Sequence, residues 1–496
     1  MRSDATAVAP EPTPAARRKP APWPLPPAVW ILATLLALGG GPWGCGRAER
    51  GGRASGSAPD LRIDRIVLVT LDTLRADHLG CYGYPRPTSP FLDELSRRGV
   101  LFDRAFAPMP TTAPSHASLF TSLYPIQHRV LMNGHVLGGD FVTLAQLAHG
   151  RGYRTAAFVS APYPFTAGGL QRGFQTFGQP KGKAQRPANE TVDQALRWIQ
   201  ERGPGDRFLL WLHLYDPHQP LEPPARLLRT FTDGPPAKRS AHARFLLEKQ
   251  RVDFDFWGRN TERMLRTIDA YDAEVLFADE QTGRLFRALE DRGLDARSLW
   301  IVVADHGEGL GNHRWLEHGQ NVHGELVHVP LILRFSSGAF QGRRVHDVVE
   351  LVDVLPTIAD LIGASTKEQV LPVQGTSLLR LLRPAGEAFP AKYAFLERRQ
   401  QGRLRPPEER PAHGEYGLQD RSYKYIHRVD GEDELYDSRT DPYEMENLVG
   451  RGGPEEGALR RELLRRIEVL RRGLREGATV ADPEQIEGLR ALGYVE

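Results

Sequence analysis

Two cysteines in 496 residues, Cys45 and Cys81, leave no disulfide framework to hold a fold together. An excess of charge of one sign is missing too. With 64 Lys and Arg against 62 Asp and Glu, the formal net charge is +2, so no global field draws the chain to nucleic acid. The apolar run AVWILATLLALGG, residues 28–40, falls short of the ~20 residues a membrane-spanning helix needs. No internal repeat divides the chain.

What stands at the N-terminus reads as targeting. A basic, proline-rich start, ARRKPAPWPLPP, precedes the apolar run, the pattern of a secretory signal over residues 1–45. The small Gly44 before Cys45 suits a lipoprotein, whereas Pro42 and Trp43 are poor residues for its processing site. An uncleaved N-terminal anchor is the alternative. The expectation is an exported protein of the periplasm or cell envelope, with membrane attachment through the N-terminus. Glycine- and serine-rich residues 46–62 then form a flexible linker.

The remainder is long enough for one large α/β domain and a smaller appendage. RIVLVTL, residues 65–71, is a continuous β-branched apolar run that ends at Asp72. RFLLWLHLYD, residues 207–216, runs into DPHQPLEPP, which carries Asp216 and His218. SLWIVVADHGEG, residues 298–309, is a third such run and ends at Asp305 and His306. Such runs suit strands buried on both faces. Between them lie helical patterns at residues 89–98, 190–202 and 261–291, the first with Pro90 in its opening turn. Alternating strands and helices predict an α/β fold: a large, mostly parallel sheet flanked by helices over residues 63–395. Ligands of such sheets gather outside the carboxyl ends of the strands. After a composition break at residues 398–410, RSYKYIHRV and EDELYD read as antiparallel strands. They predict a small C-terminal α+β subdomain over residues 396–450, with a helical tail at 451–496. The basic helix at 459–475 suits either a solvated face or a membrane surface. Residues 167–188 and 229–255 read as loops without an interpretable motif.

Asp72, Asp305 and His306, joined by a deprotonated Thr112, make a ligand set for one divalent ion: Ca²⁺, Mg²⁺, Mn²⁺ or Zn²⁺. The ion would lower the hydroxyl's pKa and so make a nucleophile. Taken singly these residues have simpler readings. Asp72 suits a turn, Asp305-His306 a helix cap, and Thr112 before Ala113 and Pro114 an N-cap. A helix starting at Thr112 would aim backbone N–H groups at an anion reacting there.

LVTLDTLRADHLGCYGYPRPTSPFLDELSRRGVLFDRAFA, TAPSHASLFTSLYP, LHLYDPHQPLEPP, ADHGEGLGNHRWLEHG, VHVPLILR, VDVLPTIADLIG and QGTSLL resemble the sulfatases of the alkaline phosphatase superfamily. So does the late YKYIHRVDGEDELYDSRTDPYEMENL, and the matches run in family order over residues 65–448. The resemblance puts Asp72, Asp305 and His306 on the metal. It puts His218 and His318 near the substrate's charged oxygens or leaving group, with His318 where many members carry lysine. His313 and Glu325 fall in matching segments and are read as structural. Three departures stand out. Thr112 occupies the place of the Cys or Ser that becomes formylglycine, and threonine cannot be oxidised to that aldehyde; Cys81 lies elsewhere. His116 replaces the motif's arginine, which leaves it as a substrate-binding candidate without a permanent charge. Thr73 follows Asp72 where many sulfatases place another metal-binding aspartate, which disfavours calcium.

A threonyl ester cannot collapse to an aldehyde, so water must attack phosphorus or sulfur directly. The resemblance therefore implies a metal-dependent hydrolase or transferase of sulfate or phosphate esters, with phosphodiester or phosphonate chemistry favoured and no formylglycine. Two-metal members would add Asp216, His218 and His318 as a second, less expected, ligand group. The implied partner is an anionic ester: a glycan, lipid head group or small molecule. A non-catalytic relative that binds an anionic glycan or lipid head group is the alternative.

Overall fold

The computed structural model describes residues 61–472, apart from 162–164, 166–167, 182–184, 255–260, 365–372, 384–388, 390–392, 399–413 and 430, and also Thr479–Val480. The signal-like run, Cys45, most of the linker expected over 46–62 and most of the composition break at 398–410 lie outside the described residues.

Nine strands form the main sheet: β1 (Arg65–Leu71), β2 (Val100–Phe106), β3 (Arg154–Val159), β4 (Thr176–Gly178), β5 (Phe208–Leu214), β6 (Ser298–Ala304), β7 (His328–Val329), β8 (Leu331–Phe335) and β9 (Arg343–Glu350). Their order is β7-β2-β8-β6-β1-β5-β3-β4, with β9 also paired to β2. Only β7 and β8, on either side of Pro330, run antiparallel to their neighbours. The sheet is thus mostly parallel. Every residue of β1, β5 and β6 is buried, as strands covered by helices on both faces must be.

The register of these three strands builds the site. Leu71 pairs with Leu214 of β5 and with Ala304 of β6. Asp72, Tyr215 and Asp305 therefore leave the sheet side by side. β1 sits between strands that arrive later in the chain, so this is a topological switch point, where such sheets open a crevice.

Helices flank the sheet. α1 (Pro90–Arg97) has Ser89 as N-cap and proline in its first turn, and Asp279 accepts the Phe91 and Leu92 N–H groups there. α2 (Thr112–Thr121) is buried along its whole length. α3 (Ala188–Gln200) and α4 (Thr261–Asp291) follow the expected spans within two residues. Strands β2 and β9 have no counterpart in the strand pattern read from the sequence. Residues 229–255 are not a plain loop: helices Ala225–Thr232 and Pro236–Glu248 occupy most of them.

The C-terminal sheet is four antiparallel strands in chain order, β10 (Ala394–Arg398), β11 (Glu415–Gln419), β12 (Tyr423–Arg428) and β13 (Glu434–Asp437). Its side chains alternate between two cores, as the period of a strand requires. Phe395, Tyr425 and Leu435 pack with Leu459, Leu463, Ile467 and Leu470 of the helix α5 (Gly453–Arg472). Leu396, Ile426 and Tyr436 point the other way, to Phe106, Val322, Leu326, Val327 and Val348 of the main domain. Burying each such side chain contributes about 1.5–3 kcal/mol of transfer free energy. Leu459, Leu463, Ile467 and Leu470 of α5 are therefore spent on the sheet, while Leu464 and Val469 stay exposed. The tail is not wholly helical, since Thr479–Val480 pairs with His135–Val136. Among the described residues no helix is long and apolar enough to cross a membrane.

Candidate active site

Asp72, Asp305 and His306 are fully buried, and one donor atom from each lies within 4.8 Å of the other two. Asp305 is fixed by its own loop: its Oδ1 accepts N–H groups from His306 at 2.9 Å and Thr73 at 3.3 Å. Its Oδ2 has no hydrogen-bond donor among the described residues. The Ser115 hydroxyl donates to the Asp305 carbonyl at 2.6 Å, which ties α2 to the end of β6.

The tautomer of His306 follows from its neighbours. Its Nδ1 lies 2.9 Å from the Gly307 carbonyl, which can only accept. Nδ1 therefore carries the proton and Nε2 the lone pair. That lone pair faces Asp72 Oδ1 at 3.7 Å and Asp305 Oδ2 at 3.5 Å. Burial holds the ring well below the usual histidine pKa, so it stays neutral. Burial, and then the Asp72 charge, push the Asp305 carboxyl well above the usual carboxylate range. Two carboxylates and a lone pair turned toward one another in a buried site repel unless a cation or a proton stands between them. The donor set therefore fits a divalent ion, and the backbone partner on Nδ1 is the support a ligating imidazole normally has.

Thr112 is fully buried, with Oγ1 3.3 Å from His306 Nε2. It joins the cluster, but as the first helical residue; the N-cap is Thr111, which makes no side-chain cap bond. The expected fan of N–H groups is also absent. Ala113 N–H goes to Asn133 Oδ1 at 2.7 Å, Ser115 N–H to the Thr111 carbonyl at 3.1 Å, and Pro114 has none. Asn133 instead pins the helix start.

His116 lies beneath the site rather than facing a substrate. Its Nδ1 donates to the Thr112 carbonyl at 2.9 Å and its Nε2 meets Thr70 Oγ1 at 3.1 Å. Phe165, Trp211 and His213 wall it in. Burial keeps it neutral. The sequence reading of His116 as a substrate contact is corrected accordingly: it braces the turn that carries Thr112.

His218 and His318 do converge with His306. The His318 ring is 4.6 Å from His306 and 4.9 Å from His218. His218 Nδ1 donates to the Gln219 carbonyl at 2.5 Å, so its lone pair sits on Nε2, and burial keeps the ring neutral. His318 differs. Burial opposes its charge, but Glu308, with Oε1 3.5 Å from Nδ1, and then Asp72 and Asp305 raise its pKa. Asp216 does not join them. Its Oδ2 accepts the Ala188 N–H at 2.9 Å, and it faces Glu274 across a shared buried contact. Asp216, His218 and His318 therefore form no three-ligand group among the described residues.

Four contributors escaped the sequence reading. Glu308 was visible within ADHGEG as the next acid after the ligands. Asn133 and Ser115 act through bonds that cross long sequence distances and leave no local pattern. His213, whose Nε2 is 3.4 Å from Asp72 Oδ2, was masked by lying inside an apolar strand. Thr73 sits at φ 57, a left-handed conformation costly for a β-branched residue, and uses its backbone rather than its side chain to hold Asp305.

Comparison with known proteins matches the family model described as Sulfatase over residues 64–364. A second model, N-sulphoglucosamine sulphohydrolase, C-terminal, matches residues 311–473. An N-acetylglucosamine-6-O-sulfatase of Bacteroides thetaiotaomicron is 22% identical, across 86% of this chain and 89% of its own. The crystal structure of a phosphonate monoester hydrolase of Agrobacterium radiobacter superposes with a TM-score of 0.65 at 23% identity, covering 85% of this chain and 100% of the other. A protein solved with its substrate D-glucosamine-2-N,6-O-disulfate gives 0.66 at 21% identity, covering 83% and 98%. With the first model spanning more than half of the residues, from the strand that ends at Asp72 to beyond the loop that carries His318, the chain is a hydrolase of the sulfatase family.

Proposed function

We propose that this chain is an exported, metal-dependent hydrolase of anionic esters in which Thr112 is itself the nucleophile, with phosphodiesters or phosphonate esters favoured over sulfate esters. The observation that carries the proposal is the position of Thr112 Oγ1, buried and 3.3 Å from His306 Nε2 at the edge of the carboxylate pair. Asp72, Asp305, His306 and Thr112 would hold a divalent ion, which would lower the hydroxyl's pKa and offset the buried negative charge.

The chain's own groups divide the remaining work. Thr112 Oγ, having lost its proton to solvent, attacks as the alkoxide. Its bond to phosphorus or sulfur forms, the bond from that atom to the leaving oxygen breaks, and hydrolysis later returns the same alkoxide. His318, whose pKa is raised by Glu308 against the effect of burial, gives a proton to the departing oxygen. His218, with its lone pair on Nε2, accepts a proton from the water that then attacks the threonyl ester; acid is released and Thr112 is restored. Direct attack at the central atom is the only exit a threonyl ester has. Phosphoryl esters tolerate it well, which favours phosphorus. The likeness of fold to phosphonate monoester hydrolases supports this direction. The sulfatases among the relatives support an anionic ester of a glycan as the wider substrate class.

Purified protein with measured metal content, offered an aryl sulfate, a phosphate monoester and a phosphodiester, tests the proposal. Wild type should turn over the phosphodiester fastest, and Thr112→Ala should lose at least ~10³-fold in kcat, the scale of a lost nucleophile. Sulfate turnover surviving in Thr112→Ala would overturn the assignment of Thr112. Absence of both metal and turnover would favour a binding protein.

A further inference from the structure

His318 follows directly on a hairpin whose strands are short, Gly309–Leu310 paired with Leu316–Glu317. The hairpin has little local reason to hold its shape. His313, Arg314 and Glu317, none of them glycine, sit at φ 48, 62 and 66, a left-handed conformation unfavourable for residues that carry a Cβ. Contacts from elsewhere must therefore fix it. Asn312 anchors one side of the tip: its Oδ1 accepts from Arg75 Nη1 at 2.8 Å, and its Nδ2 donates to the Gln250 carbonyl. His313 anchors the other. Its Nδ1 donates to Glu325 Oε1 and its Nε2 to the Glu444 carbonyl, each at 2.8 Å.

A carbonyl can only accept, and Glu325 is ionised, because His313 holds its carboxyl at about 2 despite burial. Both nitrogens of His313 therefore carry protons, and the ring is an imidazolium. Burial opposes that charge, but Glu325 lifts the His313 pKa to about 9. The His323 ring lies flat against it, with centroids 3.9 Å apart at 12°, and donates its own Nε2–H to Glu434 at 2.9 Å. Neither partner of His313 has slack. A Cβ on Gly307, next to His306, would lie 2.0 Å from the Glu325 carbonyl. The Glu444 carboxylate accepts from buried Lys424 at 2.9 Å and from the Gly324 N–H at 3.2 Å. His313 thereby joins the hairpin to the C-terminal sheet and to the loop that carries His306.

We propose that His313, through its ion pair with Glu325 and its bond to the Glu444 carbonyl, is a positioning residue that aims His318 at the leaving group. The C-terminal sheet then serves the reaction by holding the acid in place. The inference rests on the assignment of His318 as the group that protonates the departing oxygen. His313 itself acts only through His318.

Leaving groups test this. An acid matters most when the departing oxygen is strongly basic. The ethyl and p-nitrophenyl esters of one phosphonate, or of sulfate should wild type accept only that, therefore separate loss of the acid from general damage. His318→Ala should slow the ethyl ester by about 10²–10⁴-fold, far more than the nitrophenyl ester. His313→Asn, chosen because asparagine tolerates the left-handed backbone, should show the same selectivity. Its loss on the ethyl ester should be about 10²-fold, in kcat rather than KM, with an unfolding transition that shows it folded. Added to His318→Ala, it should bring no further loss. Glu325→Gln carries the same test should His313→Asn not fold. Selectivity absent from His318→Ala, or no turnover by wild type, refutes the acid assignment and this proposal with it. Selectivity present in His318→Ala but absent from both His313→Asn and Glu325→Gln overturns the proposal alone, as does a full further loss in the double variant. Should neither variant fold, the pair serves stability instead and the proposal is overturned.

Discussion

At the scale of single residues, hydrogen-bond direction assigns roles that residue type alone leaves open. Three histidines on one wall differ because a carbonyl fixes Nδ1 on His306 and His218, while Glu308 faces His318. Burial drives the same divergence among acids. Desolvation, with Asp216 beside it, pushes the Glu274 carboxyl up to about 9. A folded-state pKa above the unfolded value near 4.5 means the folded chain holds a proton that the unfolded chain releases. The stabilisation is complete below that unfolded value and is lost as pH rises toward 9. Glu274→Gln, which stays neutral, should therefore flatten the fall in stability between pH 5 and 9. Urea unfolding at pH 8.5 should find the variant more stable than wild type by at least about 1 kcal/mol. Unchanged pH dependence would show that the pair does not share its proton.

At the scale of elements, the close passage of Gly307 against residues 324–327 governs the site. Gly307 N–H donates to the Leu326 carbonyl at 2.8 Å, and no side chain fits between the two segments. Gly307→Ala should cost roughly 2–4 kcal/mol by forcing backbone apart, seen as a lower urea midpoint. It should also depress kcat more than KM, because His306 and His318 flank the displaced loop. The cluster of Asp72, Asp305 and His306 could be read from the sequence because strands ending in acids announce themselves, and parallel register then aligns them. The placement of His116 and Asp216 could not. Whether a side chain turns into the crevice or under it depends on Phe165, Trp211, Ala188 and Glu274, which approach from distant segments. β2 and β9 escaped for a related reason: FDR in β2 and RRVHD in β9 interrupt the apolar pattern, and their pairing with each other supplies the missing signal.

At the scale of the whole molecule, the C-terminal sheet is part of the catalytic domain's core rather than an attachment. Glu350, at the end of β9, accepts the Tyr124 hydroxyl and the Phe395 N–H, and Glu397 N–H donates to the Pro108 carbonyl. The described residues accordingly fall into a single compact unit. Calorimetry should show one transition, with van't Hoff and calorimetric enthalpies equal. At this junction Lys424 is buried against Glu444, which also accepts the Gly324 N–H of the main domain at 3.2 Å. Lys424→Met should cost about 3–5 kcal/mol by leaving a buried charge unpaired, and Lys424→Met with Glu444→Leu should recover most of it.

The claim on which the rest depends is that Thr112 forms the covalent intermediate. Rapid acid quench of wild type during turnover of a phosphonate ester, followed by peptide mass spectrometry, measures it directly. The account predicts a phosphonyl increment on the peptide that contains Thr112, lost on Thr112→Ala together with turnover. Turnover within tenfold of wild type in Thr112→Ala, with no adduct at any time point, would contradict it.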